Sequence, residues 1–234
     1  SRDLIPFMRS RDVEFISKQN KPNTRLYAFF DGQDVTTYCT PKLLEITMTS
    51  GTFQVGERVS GTLAGKNNQI HFRVAQSNHK EGPYNAPTKT YGANPYQIAQ
   101  LVPVTYSSTS TTLNVDTASL ANVTSSLYRG CAKADMVLTG ESSGAQATIT
   151  RIRLISDVTG FLGGAFNIPN PNTTGLPRFT TGTKQFKLTS DPQNDINQTA
   201  TSTAVDDFTS QGILETVQET IVAVRNARVI TQDI

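Results

Sequence analysis

Few residues in this chain have the type and spacing that chemistry requires. Gly140-Glu-Ser142-Ser-Gly144 matches the Gly-x-Ser-x-Gly nucleophile elbow, in which a strand delivers Ser to a tight turn and the following helix supplies oxyanion donors. Its setting differs, because Ala145 to Arg153 alternates with period two and no His follows Ser142 to act as base in that order. His71 and His79 are the only histidines, and Cys39 and Cys131 the only cysteines. Together they would supply four metal ligands, but their spacing is unlike that of a zinc site, and the thiols read as buried small hydrophobes. A carboxylate pair for glycoside hydrolysis would have to come from Asp116, Asp135, Glu141, Asp157 or Asp206-Asp207. Nothing in the sequence brings two of them together. Asp31-Gly-Gln-Asp34 lacks the further oxygen ligands and closing Glu of a calcium loop and reads as a turn. The expectation is a protein that is not an enzyme, with no metal and no cofactor.

Recognition has better material. Tyr84, Tyr91 and Tyr96 interleave with Lys80, Lys89, Asn85 and Asn94 inside Gln76 to Pro103, a stretch rich in Pro, Gly, Asn and Tyr with no sustained period. Aromatic faces stack on sugars and bases alike, which makes this the candidate ligand or partner loop. The competing reading has each ring anchoring the loop onto the domain beneath it.

These residues must be positioned by strands. Between residues 137 and 188 short alternating runs are separated by Gly, Pro and Asn turns; Ala147, Ile149, Ile152, Leu154, Phe186 and Leu188 share one face of their strands, with Thr, Arg or Lys on the other. Val13 to Ile16, Arg25 to Phe30 and Val35 to Tyr38 read as three N-terminal strands, whose missing partners return from residues 161 to 190. The expected fold is all-β: a β-sandwich of residues 1–48 and 161–192, split by an inserted small β-barrel-like domain at 49–160. An echo supports the insertion. Phe53-Gln-Val-Gly-Glu-Arg-Val-Ser-Gly61 and Met136-Val-Leu-Thr-Gly-Glu-Ser-Ser-Gly144 each read as strand, Gly-Glu turn, strand. Thr117 to Tyr128 is predicted as the one short helix, with Asp116 as N-cap and Leu120, Val123 and Leu127 on one stripe.

From 193 to 234 the reading is a polar linker and an extended C-terminal arm. Ile213, Leu214, Val217 and Ile221 fit a helix, whereas Ile221-Val222-Ala-Val224 fits a strand, and periodicity does not decide between them. An arm that pairs outside its own domain is the expectation, with a helix as the alternative. Residues 1–190 hold 19 basic and 12 acidic side chains against 2 and 7 in the remainder, so the acidic tail reads either as docking on a basic neighbour or as a solvated tail whose charge keeps it soluble.

Charged residues are 17% of the chain and the formal net charge is +2. A phosphate backbone calls for a clustered cationic face, so nucleic acid is not an expected partner. No run approaches the roughly 18 apolar residues of a membrane span. The first residue is Ser1 and not Met, which fits a piece of a longer protein.

Six segments carry a family likeness: Pro6-Phe-Met-Arg-Ser-Arg-Asp-Val-Glu-Phe15, Lys21-Pro-Asn-Thr-Arg-Leu-Tyr-Ala-Phe-Phe-Asp-Gly32, Leu113-Asn-Val-Asp-Thr-Ala-Ser-Leu120, Ser143-Gly-Ala-Gln-Ala-Thr148, Phe166-Asn-Ile-Pro-Asn-Pro171 and Phe179-Thr-Thr-Gly-Thr-Lys-Gln-Phe-Lys-Leu188. In this order the chain resembles virion structural proteins of contractile-tailed marine bacteriophages of the cyanophage type, associated with the tail, baseplate or tail fibre. The resemblance implies an assembly role in the virion tail, contacts with other virion proteins and with further copies of itself, and no catalytic residues. A receptor- or carbohydrate-binding module that attaches to a host surface glycan is the alternative, and a polysaccharide depolymerase a distant third.

Overall fold

In the computed structural model, residues 7–67, 69–195, 200, 202–210 and 220–223 are described. The chain starts with β1 (Arg11–Ser17), β2 (Arg25–Phe30), β3 (Gln33–Asp34) and β4 (Cys39–Pro41). It continues through β5 (Leu43–Ser50), β6 (Arg58–Thr62) and β7 (Ile70–Arg73), then the small strands β8 (His79–Glu81), β9 (Lys89–Thr90), β10 (Ala93–Asn94) and β11 (Gln97–Leu101). Next come β12 (Thr112–Asn114), the helix α1 (Thr117–Leu120), β13 (Arg129–Gly130), β14 (Val137–Gly140) and β15 (Gln146–Arg151). The last are β16 (Leu154–Ile155), β17 (Leu162–Ile168), β18 (Gly182–Thr189), β19 (Thr203–Ser210) and β20 (Thr220–Ala223). Strand makes up 46% and helix 4% of the described residues, the latter counting a 3₁₀ turn at Thr36–Tyr38 where the sequence reads as a strand, so the protein is all-β, as its alternation predicts.

Two sheets, ordered β20-β1-β17-β4 and β16-β2-β18-β19, enclose one apolar core. Phe30 sits fully buried near its middle, with ring centroids 5.0 Å from Phe166 and 4.8 Å from Phe179, the latter edge-on. The Asp31-Gly32 turn closes the β2–β3 hairpin with positive φ at both residues, a geometry that suits this pair. A seven-stranded sheet, β12-β5-β15-β14-β6-β7-β13, curls into a half-barrel around Leu44, Val59, Ile70, Phe72, Leu138 and Ile149. A smaller apolar cluster of Leu43, Tyr91, Val102 and Phe161 holds down the excursion between β7 and β12.

Strand β1 is buried on both faces, for different reasons. Val13 and Phe15 enter the phenylalanine core, while Asp12 and Glu14 point the other way and are also covered. Thr117 Oγ1 donates to Glu14 Oε2 (2.7 Å), and Gly130 N donates to Asp12 Oδ2 (3.1 Å). Gly130 is required there, because its φ is +108° and a Cβ would lie 2.1 Å from Gln69 O.

Several expectations are corrected. Only Thr117–Leu120 of the segment 117–128 is helical, and the Asp116 carboxylate makes no cap bond because Arg73 holds it. Leu127, assigned to the buried stripe, is 55% exposed. The two Gly-Glu copies are not equivalent: Gly56-Glu57 leads into β6, whereas Gly140-Glu141 ends β14 and opens the turn to β15. The boundary at 192 fails, since β19 pairs with β18 over all eight residues, from Thr189↔Thr203 to Gly182↔Ser210. In the arm, Ile221 and Val222 lie in β20, which pairs in parallel with Phe15 and Ile16 of the same chain. Pairing outside the domain is thus overturned at 220–223; Ile213, Leu214, Val217 and Val224 lie outside the described residues.

Candidate functional site

The loop proposed for recognition is an ordered excursion that carries two ribbons, β8–β9 and β10–β11. Its chemistry-bearing residues fall into three separate places. Tyr91 is 6% exposed and packs edge-to-face on Phe161 at 5.8 Å. Beneath these two rings lies Lys80, whose ammonium is 5.0 Å from the Tyr91 ring centre and 5.2 Å from that of Phe161. Its Nζ meets Asp157 Oδ2, and the two side chains are only 7% and 1% exposed.

Tyr96 packs against the same apolar cluster and donates its hydroxyl hydrogen bond to Leu43 O at 2.6 Å. The Arg153 guanidinium lies 5.4 Å from its ring centre and forks onto Glu45 at 3.0 and 2.7 Å. Burial drives both the Tyr91 and Tyr96 phenols well above the ordinary range. Tyr84 stands apart with Arg73 stacked 3.9 Å from its ring centre, and Arg73 in turn grips Asp116 Oδ2. Lys89, with a side chain 62% exposed, reaches Glu81 at 3.5 Å. The three tyrosines thus share no open face on which a sugar or base could stack, and the anchoring reading holds for Tyr91 and Tyr96.

The excursion also presents apolar side chains to solvent, beside the exposed Gln97 and Gln100. Every residue of β11 is exposed; Ile98 is 62%, Leu101 77% and the nearby Val104 58% accessible. Among the described residues β11 pairs with β10 alone, at Asn94↔Gln97 and Ala93↔Leu101, so residues 98–100 bulge between the two pairs. From Thr90 to Val115 there is no charged side chain. At the ribbon's base lies an open depression of about 200 Å³ lined by Glu45, Thr47, Asn94, Gln97, Thr150 and Arg151 among others.

The Ser142 elbow is a turn held by a carboxylate. Glu57 is 5% exposed; its Oε1 accepts from Ser142 N (3.2 Å), Ser143 N (3.0 Å) and Ser143 Oγ (3.0 Å), and its Oε2 from Gln54 N. A strand follows, so no helix N-terminus faces Ser142. The histidines are apart: His71 lies on β7 opposite Ser60 and Arg129, while His79 Nε2 contacts Gly82 O at 2.8 Å. Burial, then the nearby Lys42 charge, pushes His79 down to about 4. Burial raises both thiols, and Cys131 Sγ accepts from Thr40 Oγ1 at 3.8 Å. Among the described residues no three His, Cys, Asp or Glu side chains gather where they could hold a metal ion.

Sequence reasoning missed a buried polar seam along the junction of the two cores. It comprises Asp12, Glu14, Lys42, Asp116 and Thr117. Lys42 Nζ donates to Val115 O at 2.9 Å, and burial lowers its pKa to about 8. Burial raises Asp12 to about 7 against the opposing hydrogen bonds from Asn167 and Gly130. Asp12 and Glu14 alternate with Val13 and Phe15 as solvent-facing residues do, so no signal in the sequence marks them. Compared with protein-family models, curated proteins and solved structures, the chain matches none.

Proposed function

We propose that this chain is a structural component of a phage tail, associated with the baseplate or tail fibre, and that it acts by subunit–subunit assembly in the virion. The observation that supports this reading is the β10–β11 ribbon, whose bulged outer strand exposes Ile98 and Leu101 in a stretch without charge. Exposed strands in proteins that work alone are blunted with Lys, Pro or inward charge. The bulge, Pro95 and Pro103 blunt the backbone edge of this ribbon, so it is the exposed Ile98, Leu101 and Val104 side chains that belong to a surface covered at work. The partner is a second copy of the chain: in a two-fold contact each residue meets its own kind or a near neighbour, and a segment with no charge brings no like charges together.

Light scattering coupled to size exclusion, on the wild type and on Ile98→Lys/Leu101→Lys, tests this. A concentration-dependent oligomer that the double substitution reduces to monomer is expected. A wild-type chain that stays monomeric at high concentration refutes self-assembly through the ribbon. The second reading, attachment to a host surface glycan, draws on the polar depression of Glu45, Thr47, Gln97 and Thr150. A monomer with saturable glycan binding that is lost on Gln97→Ala would promote it.

A further inference from the structure

Lys80 and Asp157 are arranged for more than an ion pair. Opposite charges withdrawn from water each carry a desolvation penalty, and their attraction offsets it only when the remaining polar atoms are well satisfied. Here they are satisfied unevenly. Asp157 Oδ1 accepts three hydrogen bonds, from Thr159 N (2.8 Å), Thr159 Oγ1 (2.7 Å) and Phe161 N (2.9 Å). Asp157 Oδ2 is buried, has no hydrogen-bond donor of good geometry, and faces Lys80 Nζ. The ammonium also donates to Thr159 Oγ1 at 3.1 Å. Tyr91 and Phe161 lie beside the pair. The site thus holds an amine nitrogen against a carboxyl group, three donors trained on one carboxyl oxygen, and aromatic walls that keep water out.

We propose that Lys80 and Asp157 condense in the folded chain to an isopeptide bond. Proton transfer from the ammonium to Oδ2 gives a neutral amine and a neutral acid, removing both buried charges. Nζ then attacks the carboxyl carbon, and the negative charge that develops on Oδ1 falls on the three donors, which serve as an oxyanion hole. A second proton passes from Nζ to Oδ2, the C–Oδ2 bond breaks, and water leaves. Ammonium and carboxylate become amide and water, with no oxidant, metal or activating nucleotide required. Fixed proximity of this kind replaces most of the entropic barrier of an intermolecular amidation. The product covalently ties the β8 end of the excursion to the turn between β16 and β17.

The test is the intact mass of the denatured full-length chain after it has folded, followed by peptide mapping. A mass lower than that of the sequence by one water, with the peptides containing Lys80 and Asp157 joined and no tryptic cleavage after Lys80, is the expected result. Lys80→Met and Asp157→Ala should each retain the full sequence mass. Asp157→Asn is not a control, since it would reach the same amide by loss of ammonia. Thr159→Val, which removes one donor to Oδ1 and the bridging hydroxyl, should slow the appearance of the lighter species by roughly tenfold or more. A folded wild-type chain that keeps its full sequence mass through prolonged incubation, and is cut after Lys80 once denatured, overturns the proposal whatever the variants do.

Discussion

Asp12→Asn should remove a pH dependence of stability that Asp12 imposes on the wild-type chain. The carboxyl lies on the covered polar face of β1, accepting from Asn167 Nδ2 at 3.0 Å and from Gly130 N at 3.1 Å. Burial dominates these bonds and raises its pKa from 3.8 to about 7. Between those values the folded chain keeps a proton that the unfolded chain has lost. Stability from this group is therefore complete below the unfolded value and drains away as pH rises through the folded one. At ~1.4 kcal/mol per pH step the interval sets an upper limit on the order of 4 kcal/mol, and relaxation around the charged form brings a realistic loss to about 2–3 kcal/mol. The amide of the variant fits the same two partners: its oxygen accepts from Gly130 N, and a flipped Asn167 accepts from its nitrogen.

Urea unfolding of both proteins at several pH values between about 4 and 8 provides the measurement. His79 acts in the opposite sense over part of this range, because its pKa, lowered to about 4, adds stability as pH rises. It is common to both proteins and cancels in their difference. The wild-type chain should lose about 2–3 kcal/mol relative to Asp12→Asn as pH rises. A difference that stays flat across the range would refute the reasoning and show that Asp12 is ionised throughout, its two donors outweighing burial.

Phe30→Ala should be among the most damaging truncations. The ring is fully buried and meets Phe166, Phe179 and Phe208 at 5.0, 4.8 and 6.1 Å, so a loss of about 4–5 kcal/mol is expected, near the top of the range for buried Phe. Guanidinium unfolding checks it, and a loss below ~2 kcal/mol would mean that the sandwich core collapses around the cavity. Glu57→Ala should cost about 3–4 kcal/mol by leaving Gln54 N, Ser142 N, Ser143 N and Ser143 Oγ without their acceptor. Faster amide exchange at Ser142 and Ser143, with the sandwich core still protected, is the accompanying signature. Unchanged exchange in that turn would show that water replaces the carboxylate.

The all-β class was legible because strand periodicity is local. Alternation in Ala147-Thr-Ile149 and Phe186-Lys-Leu188 places one face inward wherever the partner comes from, and all four apolar residues are buried. The Asp31-Gly32 hairpin was legible for the same kind of reason, since the turn geometry is set by the residues that adopt it. The 117–128 helix misled because its spacing of Leu120, Val123 and Leu127 fits a helix in isolation. The tertiary fold uses Leu120 in the half-barrel core and leaves Leu127 exposed. The tyrosines of the excursion were found by their type, but whether a ring faces solvent or core is a matter of what lies beneath it. Leu43 and Phe161, far away in sequence, decide that for Tyr91 and Tyr96.

Although Val35 to Tyr38, which reads as a strand, forms a 3₁₀ turn at Thr36–Tyr38, local sequence encodes that β1, β2, β15 and β18 extend, that Asp31-Gly32 turns, and that apolar side chains line one side of these strands. Each of these depends on neighbours within a few residues. Tertiary structure alone decided that the polar side of β1 is covered as well, because that requires α1 and Gly130 to arrive from more than a hundred residues away. It likewise decided that Glu57 holds the turn at Ser142, that Ile221 and Val222 return to pair with Phe15 and Ile16, and that Lys80 meets Asp157 out of water. A charge in an alternating strand has the same local pattern whether water or another sheet covers it, and only the packing of distant segments distinguishes the two.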